Sequence, residues 1–239
     1  MLTVQPLQPA TFPVPGQFYM LQAGASYDPL LKRPFSYLSA ENGSITFLYR
    51  IRGKGTRAIA ALREKETISL IGPLGNAYPV PSGEFIAVAG GIGIASLFSL
   101  FGAATGRATL FWGGRTAGEL LMTETVRGLV RTAVITTDDG SAGRKSLVTE
   151  PFREYLAVNA HLPVYVCGST PMMKAVAALC SDAGARCFVS LEAYMACGVG
   201  ACLGCVVKIR DSENHEGRFR SVCKDGPVFD ASTVVWEGQ

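Results

Sequence analysis

The sequence predicts a β-barrel plus α/β protein, with a small antiparallel barrel, a parallel-sheet domain and a short C-terminal domain. Three features of the 239-residue chain point to this class. Short strand-like runs fill the first third, and strand-like runs alternate with helical runs in the middle. The last segment is rich in glycine and cysteine instead.

The first third reads as an antiparallel β structure. Turn residues separate its strand candidates, and the last three alternate partly in hydrophobicity, as in a small barrel or sandwich. These candidates span residues 16–23, 36–40, 44–51 and 67–73. A Gly/Pro-rich connector at 72–81 marks the end of the unit, so the first domain is predicted to be residues 1–78.

From residue 84, apolar runs alternate with helical stretches such as residues 118–130. Repeated strand–helix alternation indicates a parallel sheet with helices on both faces. The strand candidates are residues 85–90, 108–114, 132–137, 163–168 and 186–190. Such sheets bind ligands at the carboxyl ends of their strands, and we predict this domain to span residues 79–190.

The third predicted domain covers residues 191–239. It has too little apolar mass to fold well alone, so a metal centre or docking onto the rest of the chain must hold it.

Composition argues for a protein partner and against nucleic acid. Charged residues make up 17% of the chain, against roughly 25% in an average protein. The net charge is only +3 and no long Lys/Arg run is present, so nucleic-acid binding is not expected.

Two uncharged stretches, residues 1–27 and 85–106, could be mistaken for targeting or membrane segments. The first contains four prolines and lacks a basic start, so we do not expect a signal peptide. The second contains clustered glycines, which favour a strand, a turn and a buried helix over a membrane span. We therefore expect a cytoplasmic protein, in which clustered cysteines are more often metal ligands than disulfides.

Four cysteines have the spacing of a cluster site. They form the pattern Cys197-x4-Cys202-x2-Cys205-x17-Cys223. The first three match the plant-type spacing for a [2Fe–2S] cluster, whose fourth cysteine comes from a distant loop. The glycines within this loop, at 198, 200 and 204, permit the sharp turns that expose backbone N–H groups to sulfur.

A structural zinc ion is the alternative for these cysteines. Structural zinc sites usually pair two short C-x2–4-C motifs, whereas here one motif is compact and the other is a single cysteine. The remaining cysteines, Cys167, Cys180 and Cys187, lie in apolar surroundings and read mainly as core residues.

Two stretches in the first domain could bind a phosphorylated ligand. In "RPFSYLS" (33–39) and "LYRIRGKGT" (48–56), Arg33 and Arg50 could neutralise a pyrophosphate, and Ser36 could bond a flavin or ribose oxygen. Gly55 and Thr56 precede the helical run 57–64 and would offer N–H groups at a helix start.

These stretches, with "GGIGIASL" (90–97) and "CGSTPMM" (167–173), resemble the ferredoxin–NADP reductase superfamily. The resemblance implies a flavin-binding barrel followed by a nicotinamide-binding domain. Phe35 stands where the family motif has a tyrosine, so that hydroxyl contact is absent. The implied FAD-binding residues are Arg33, Pro34, Phe35, Ser36, Leu48, Tyr49, Arg50, Gly55 and Thr56. The implied NAD-binding residues are Gly91, Gly93, Cys167, Gly168 and Met172.

The order of all motifs, ending in "LEAYMACGVGACLGCVVK" (191–208) and "VCKDGPVF" (222–229), resembles the electron-transfer subunits of type B dihydroorotate dehydrogenases. That family implies FAD, a [2Fe–2S] cluster and NAD as cofactors, in an enzyme of pyrimidine biosynthesis. It also implies an FMN-containing dihydroorotate dehydrogenase catalytic subunit as partner, with two copies of each chain. The two histidines, His161 and His215, form no readable acid–base pair, so no catalytic residue is predicted in this chain.

Two other functions stay open at this point. A chain of the same architecture could serve another redox complex, such as a sulfur reductase, a hydrogenase or a bifurcating transhydrogenase. A non-enzymatic module with structural zinc is the second alternative. The choice between NAD and NADP is also open, because Arg115 follows the second strand of the α/β domain, where a 2′-phosphate could be bound.

Overall fold

The computed structural model describes residues 1–8, 11–24, 28–211 and 217–236. The first part of the chain forms two three-stranded sheets and one helix. Its elements are β1 (Leu2–Val4), β2 (Phe18–Ala23), β3 (Arg33–Ser36), β4 (Ser39–Glu41), β5 (Ser44–Phe47), α1 (Lys54–Ala60) and β6 (Ile68–Leu74). The strand orders are β1–β5–β4 and β3–β2–β6.

One aromatic core joins these two sheets. Tyr19 of β2 packs edge-on against Phe47 of β5, with ring centroids 5.6 Å apart. Phe35 of β3 contacts the same Phe47 ring at 6.5 Å, and Ile59 of α1 belongs to the same cluster. All strand pairs in both sheets are antiparallel, which confirms the antiparallel architecture predicted for the first third.

The second part builds a seven-stranded sheet with flanking helices. Its elements are β7 (Phe85–Gly90), α2 (Ile94–Ala103), β8 (Ala108–Gly114), α3 (Thr123–Arg127), β9 (Thr132–Thr137), β10 (Arg144–Lys145), α4 (Thr149–Asn159), β11 (Val164–Cys167), α5 (Thr170–Ala183) and β12 (Cys187–Ser190). Short 3-10 turns lie at Gly91–Gly93 and Ala117–Glu119. The pairs from β10 to β12 are all parallel, as predicted.

The parallel sheet changes its direction of growth between β7 and β11. From β7 the chain adds β8, β9 and β10 on one side, and it adds β11 and β12 on the other. Loops leaving β7 and β11 therefore diverge, and a crevice opens at their carboxyl ends, which is where such sheets bind ligands. Both strands are almost wholly buried, because helices cover the two faces of a parallel sheet.

The C-terminal segment adds three short strands. β13 (Val206–Ile209) and β14 (Arg218–Ser221) pair as an antiparallel ladder. β15 (Val228–Asp230) pairs antiparallel with β12 and so extends the main sheet at its edge. Backbone pairing thus docks the segment onto the α/β domain. The sequence predicted that either docking or a metal centre would hold it.

Several elements differ from the sequence prediction, and the strand predicted at 44–51, for example, ends at Phe47. The strand predicted at 36–40 is split into β3 and β4, because the side chains of Tyr37 and Leu38 are both buried and break the alternation. The helix predicted over 118–130 is reduced to the five residues of α3. Met122, just before α3, has a φ of 62°, and a left-handed residue cannot continue a right-handed helix.

The helices around the sheet are short. The longest, α5, has 14 residues, begins with Pro171 in its first turn and ends at Gly184, whose φ is 69°. Glycine suits that position because it adopts the left-handed conformation at little cost. In the ranges that the structure describes, no helix combines the length and apolar character needed to cross a membrane.

Asn76 ties the connector after β6 to the C-terminal segment. Its amide nitrogen donates to the carbonyls of Asp225 at 3.0 Å and Val228 at 2.8 Å, and its Oδ1 accepts from the Val228 N–H at 2.9 Å. The Asn76 backbone N–H donates to the carbonyl of Gly226 at 2.6 Å. One side chain therefore satisfies several backbone groups that no strand ladder reaches.

Replacing this side chain, as in Asn76→Ala, should loosen the C-terminal segment. The change removes three hydrogen bonds, and each buried polar group left without a partner costs about 1–3 kcal/mol. We expect a lower melting temperature and faster amide hydrogen exchange in residues 218–236. Gln5→Ala, which removes an exposed amide, is the control, and equal exchange in the two variants would contradict the role of Asn76.

Candidate functional site

A cavity of about 910 Å³ opens between the antiparallel sheets and the carboxyl ends of the parallel strands. Its volume lies in the range of roughly 300–1,000 Å³ that ligand pockets occupy. From the predicted FAD set, the lining includes Pro34, Phe35, Ser36, Leu48, Tyr49, Arg50 and Thr56. From the predicted NAD set, it includes Gly91, Gly93, Cys167, Gly168 and Met172. Residues predicted separately from the two parts of the chain thus meet at one cavity.

Arg33 and Gly55 lie beside this cavity, outside its lining. The Arg33 guanidinium donates to the carbonyl of Leu31 and packs over Gly55. A Cβ added to Gly55 would lie 2.9 Å from Nε of Arg33, so the glycine makes room for the arginine. Their roles as FAD ligands stay predictions.

The barrel side of the cavity presents an aromatic wall. The Phe35 ring packs edge-on against Tyr49, with centroids 5.3 Å apart, and also against Phe47 in the core. Burial raises the pKa of Tyr49, so this residue keeps its hydroxyl proton at neutral pH. These contacts with the core fix the orientation of the wall.

Thr56 organises the start of α1. Its Oγ1 accepts from the backbone N–H groups of Arg52 at 2.8 Å and Gly53 at 3.1 Å. These bonds stabilise a helix that begins three residues before the predicted start, so α1 begins at Lys54. Gly55 and Thr56 therefore lie in its first turn, and the prediction that they precede the helix was wrong. The N–H groups of a first helical turn have no partner within the helix, so they can still face a ligand.

The glycine turn after β7 is shaped by close packing. Gly91 has a φ of 49°, and its carbonyl accepts a bond from Nε1 of buried Trp112 at 3.0 Å. A Cβ added to Gly93 would lie 2.3 Å from the carbonyl oxygen of Cys167 and 2.9 Å from the nitrogen of Gly168. Gly93 therefore lets the ends of β7 and β11 meet. Sequence reasoning missed Trp112, since an apolar run predicts its burial but not its hydrogen-bond partner.

Cys167, at the end of β11, presents a neutral thiol. Burial raises its pKa to about 12. The hydroxyls of Ser96 and Ser190 both interact with this thiol and lie 3.3 Å apart, and the Tyr78 hydroxyl is 3.1 Å from that of Ser96. Sequence reasoning missed this hydroxyl network, because its members are far apart in the chain.

A carboxyl group that the sequence did not single out also lines the cavity. Glu192 follows β12 and lines the cavity. Its side chain is in contact with solvent, but the neighbouring walls of the cavity enclose it on the other sides. This enclosure raises the pKa of Glu192 above its ordinary value, with Arg52 opposing the shift. Glu192 therefore takes up a proton more readily than a surface glutamate does.

Glu119 links two arginines in the cavity wall after β8. Its Oε1 lies 2.8 Å from Nε and 2.6 Å from Nη2 of Arg115, and 3.4 Å from Nη2 of Arg50. Its Oε2 accepts from the backbone N–H of Arg115 at 3.1 Å. Hydrogen bonding to Arg115, above all, keeps the pKa of Glu119 below its ordinary value, so the carboxylate is charged at neutral pH.

The four predicted cluster cysteines come together as two pairs. The Cys197 thiol interacts with that of Cys202, and the Cys223 thiol interacts mainly with that of Cys205 and more weakly with that of Cys197. Within the described residues, no three His, Cys, Asp or Glu side chains converge closely enough to hold a single metal ion. Two pairs of sulfur atoms suit a binuclear centre better than a mononuclear one, because each of its two metals takes two cysteines.

Backbone N–H groups point at these sulfur atoms. Val199 donates to Sγ of Cys197 at 3.4 Å, and Gly200 donates to Sγ of Cys223 at 3.1 Å. Such bonds, with Val199 the largest contributor, lower the pKa of Cys197 to about 6, whereas burial raises that of Cys223 to about 12. N–H donation to sulfur is the support that cluster thiolates need.

Left-handed residues give the cysteine loop its shape. Gly198 has a φ of 73° and Gly200 a φ of 80°, as their place in the predicted wrap requires. The third such position is Leu203, with a φ of 55°, and not the neighbouring Gly204. A Cβ on Gly198 would lie 2.5 Å from Cγ of Met20, so the loop packs directly onto β2.

Two family models match the chain. Residues 192–235 match the iron–sulfur cluster binding domain of dihydroorotate dehydrogenase B. Residues 87–178 match the oxidoreductase NAD-binding domain. The first range contains the two cysteine pairs, and the second contains the glycine turn and Cys167.

Curated relatives match almost the full length. A protein of Caldanaerobacter subterraneus subsp. tengcongensis is 38% identical over 226 residues, which cover 94% of this chain and 88% of the relative. A protein of Desulforamulus reducens is 36% identical over 237 residues, which cover 95% of this chain and 89% of the relative. Both are named dihydroorotate dehydrogenase B (NAD(+)), electron transfer subunit.

Solved structures confirm the predicted fold class. The structure of an NADH-dependent reduced ferredoxin-NADP oxidoreductase, described for flavin-based electron bifurcation, has a TM-score of 0.80 at 28% identity and covers 94% of this chain and 80% of its own. A ferredoxin reductase in carbazole 1,9a-dioxygenase has a TM-score of 0.63 at 19% identity, covering 77% of this chain and 60% of its own. The second likeness supports the fold alone.

The close packing at the glycine turn can be tested with Gly93→Ala. The added methyl group would collide with the Cys167 carbonyl and push β11 away from β7, and such overpacking costs about 1–3 kcal/mol. We expect a lower free energy of unfolding in urea and weaker binding of NADH.

Gly102→Ala is the matched control for this substitution. Gly102 lies in α2, with no heavy atom within 4 Å of an added Cβ. Helix propensity predicts unchanged or higher stability there, by up to about 1 kcal/mol. If the Gly93 variant were as stable as wild type, the close packing would not be required.

Proposed function

The chain belongs to the family of dihydroorotate dehydrogenase B electron-transfer subunits, and we propose that it carries electrons between a catalytic partner subunit and NAD. One contact in the structure carries this proposal. Phe18 of β2 lines the cavity, and Met20, two residues on, packs against Gly198 of the cysteine loop. Residues two apart on a strand are roughly 7 Å apart. The cavity and the cysteine loop therefore meet β2 at neighbouring positions along its length, which would keep redox groups bound at the two places close together.

We assign the cluster to Cys197, Cys202, Cys205 and Cys223, in the C-terminal domain 191–239. The four-thiol donor set, its two pairs and the N–H groups that face the sulfurs support a [2Fe–2S] cluster. In this assignment Cys197 and Cys202 would hold one iron, and Cys205 and Cys223 would hold the other. The family model for residues 192–235 favours an iron–sulfur cluster over structural zinc.

We assign FAD to the domain 1–78 and NAD to the domain 79–190. The aromatic wall of Phe35 and Tyr49 fits a flavin ring, and the first turn of α1 with Arg50 fits a pyrophosphate. Arg33 and Gly55 remain in the proposed FAD set, although they pack against each other just outside the cavity lining. The glycine turn and the end of β11 supply the NAD side of the same cavity.

A flavin held by the residues of the first domain would supply both single-electron and hydride transfer, two kinds of transfer that an iron–sulfur cluster cannot combine. The chain's own residues position and shield this exchange. Cys167 holds a proton on Sγ and so brings an uncharged group to the nicotinamide side. The buried faces of Phe35 and Leu48 keep water from the flavin side.

The relatives' names imply a catalytic partner subunit. We propose that this partner is an FMN-containing dihydroorotate dehydrogenase, that two copies of each chain assemble, and that the complex works in the cytoplasm in pyrimidine biosynthesis. Exposed apolar side chains near the cysteines support docking there, since Tyr194 is 99% exposed, Leu203 65% and Phe219 67%.

Of the two histidines, His161 is exposed and His215 lies outside the described residues.

A second candidate is a reductase subunit of another redox complex. The likeness at a TM-score of 0.80 to the oxidoreductase described for electron bifurcation favours it. The two candidates share cofactors and differ in the partner, so the partner's substrate distinguishes them.

The cluster assignment predicts the outcome of Cys202→Ala. Losing one of four thiolate ligands should abolish the electron paramagnetic resonance signal of the reduced cluster and the matching visible absorption. FAD should remain bound, because Cys202 lies outside the cavity lining. Cys180→Ala, which removes a buried core thiol of α5, should keep the full signal. An unchanged signal in the Cys202 variant would show that this cysteine is not a ligand.

The division of labour makes a further prediction. The FAD-loaded chain alone should reduce an artificial dye with NADH but should not oxidise dihydroorotate. Adding the catalytic subunit should give dihydroorotate-dependent NAD+ reduction, and this coupled activity should be lost in the Cys202 variant while dye reduction persists. Dihydroorotate oxidation by the chain alone would refute the division, and failure to couple with that subunit would favour the second candidate.

A further inference from the structure

We infer that Glu119 makes the site select NAD over NADP by occupying the guanidinium that could otherwise bind a 2′-phosphate. The inference rests on the proposed function, because it concerns the same nucleotide site. It goes further by naming the residue that discriminates and the part of the nucleotide that is read.

The position is right for reading the ribose of a bound nucleotide. Arg115 and Glu119 follow β8, Asp138 follows β9, and all three line the cavity. In folds of this kind, side chains just beyond neighbouring strands contact the ribose, where a carboxylate accepts from the 2′-hydroxyl and an arginine accommodates a 2′-phosphate. The chain has both kinds of group here, so their mutual contacts decide which one is available.

The contacts make Arg115 unavailable. Nε and Nη2 of Arg115 both donate to Oε1 of Glu119, at 2.8 and 2.6 Å. The carboxylate is the fixed partner, since the Glu119 side chain is only 16% exposed, whereas that of Arg115 is 73% exposed. Glu119 is also anchored through the bond from the Arg115 backbone N–H to Oε2.

The charges nearby disfavour a phosphate dianion. Glu119 also pairs with Arg50, so one carboxylate is shared by two guanidinium groups of the cavity wall. Asp138 places a second carboxyl in the lining, close enough to interact with Arg115. A 2′-phosphate would meet two carboxylates here, while Arg50 and Arg115 are both already paired with Glu119. A 2′-hydroxyl, in contrast, can donate a hydrogen bond to a carboxylate.

The experiment uses the FAD-loaded chain with Glu119→Gln, which keeps the side-chain size and removes the charge. Calorimetry with 2′,5′-ADP and 5′-AMP measures nucleotide binding apart from activity. We expect the affinity for 2′,5′-ADP relative to 5′-AMP to rise about tenfold, the effect of one charge-assisted contact in a solvent-open site. The ratio of kcat/KM for NADPH to that for NADH should rise similarly, mainly through KM.

Two further variants make the test specific. Glu124→Gln removes the carboxylate of a different glutamate–arginine pair, with Arg127 on α3, which is exposed and lies outside the cavity lining, and should leave both ratios at the wild-type values. Adding Arg115→Ala to the Glu119 variant should cancel the gain in 2′,5′-ADP affinity, because the released guanidinium would be absent.

The outcomes separate this inference from the proposed function. If wild type uses NADH and the Glu119 variant keeps wild-type ratios, the selection by Glu119 is refuted and the proposed function stands. A gain that persists without Arg115 would also overturn it, since the phosphate would then be bound elsewhere. If wild type neither binds these nucleotides nor oxidises NADH, the proposed nucleotide site itself is wrong.

Discussion

The backbone-to-backbone approach of β7 and β11 is the constraint on which the candidate site depends. Gly93 lies against the Cys167 carbonyl, and a Cβ on Gly168 would lie 2.9 Å from Cα of Gly90. The two strand ends thus approach without intervening side chains, and the Met172 side chain packs against both Gly90 and Gly168. Trp112 then fixes the Gly91 carbonyl, and the end of β11 sets the position of the Cys167 thiol. The cavity therefore arises from the topology of the sheet, and the glycines allow the ends of β7 and β11 to lie close together at its base.

The same kind of contact holds the cysteine segment in place. β15 pairs with β12, the Asn76 side chain bonds three backbone groups of the segment, and Gly198 packs on Met20 without an intervening side chain. These contacts do not involve the thiols of the four cysteines. Docking therefore fixes where the cysteine loop stands relative to β2, and the metal centre has only to organise the loop itself.

The sequence predicted local features well and long-range partners poorly. β8 and β9 were predicted to the residue, because buried parallel strands are continuous apolar runs with glycine or polar ends. Most residues that the motifs predicted to bind FAD or NAD lie in the cavity lining, but most of that lining, including Glu119 and Asp138, was not predicted. The Asn76 bridge and the strand β15 could not be predicted, since their partners lie far away in the chain. Leu203 shows a subtler limit: a glycine-rich loop predicts that left-handed residues occur, but not which residue adopts that conformation.

The ion pairs of Glu119 differ in their number of hydrogen bonds, which reconciles them with the proposed flavin site. Arg50 and Glu119 are 3.4 Å apart with side chains 33% and 16% exposed, and such a partly solvated pair is worth about 0–1 kcal/mol. A hydrogen bond from an arginine to a charged group contributes about 1.5–3 kcal/mol. A pyrophosphate would therefore draw Arg50 away from Glu119 at little cost. Arg115 is held by two side-chain bonds and one backbone bond to the same carboxylate, so it stays paired when Arg50 leaves. Glu119 can thus release one arginine to the flavin and still withhold the other from the nucleotide.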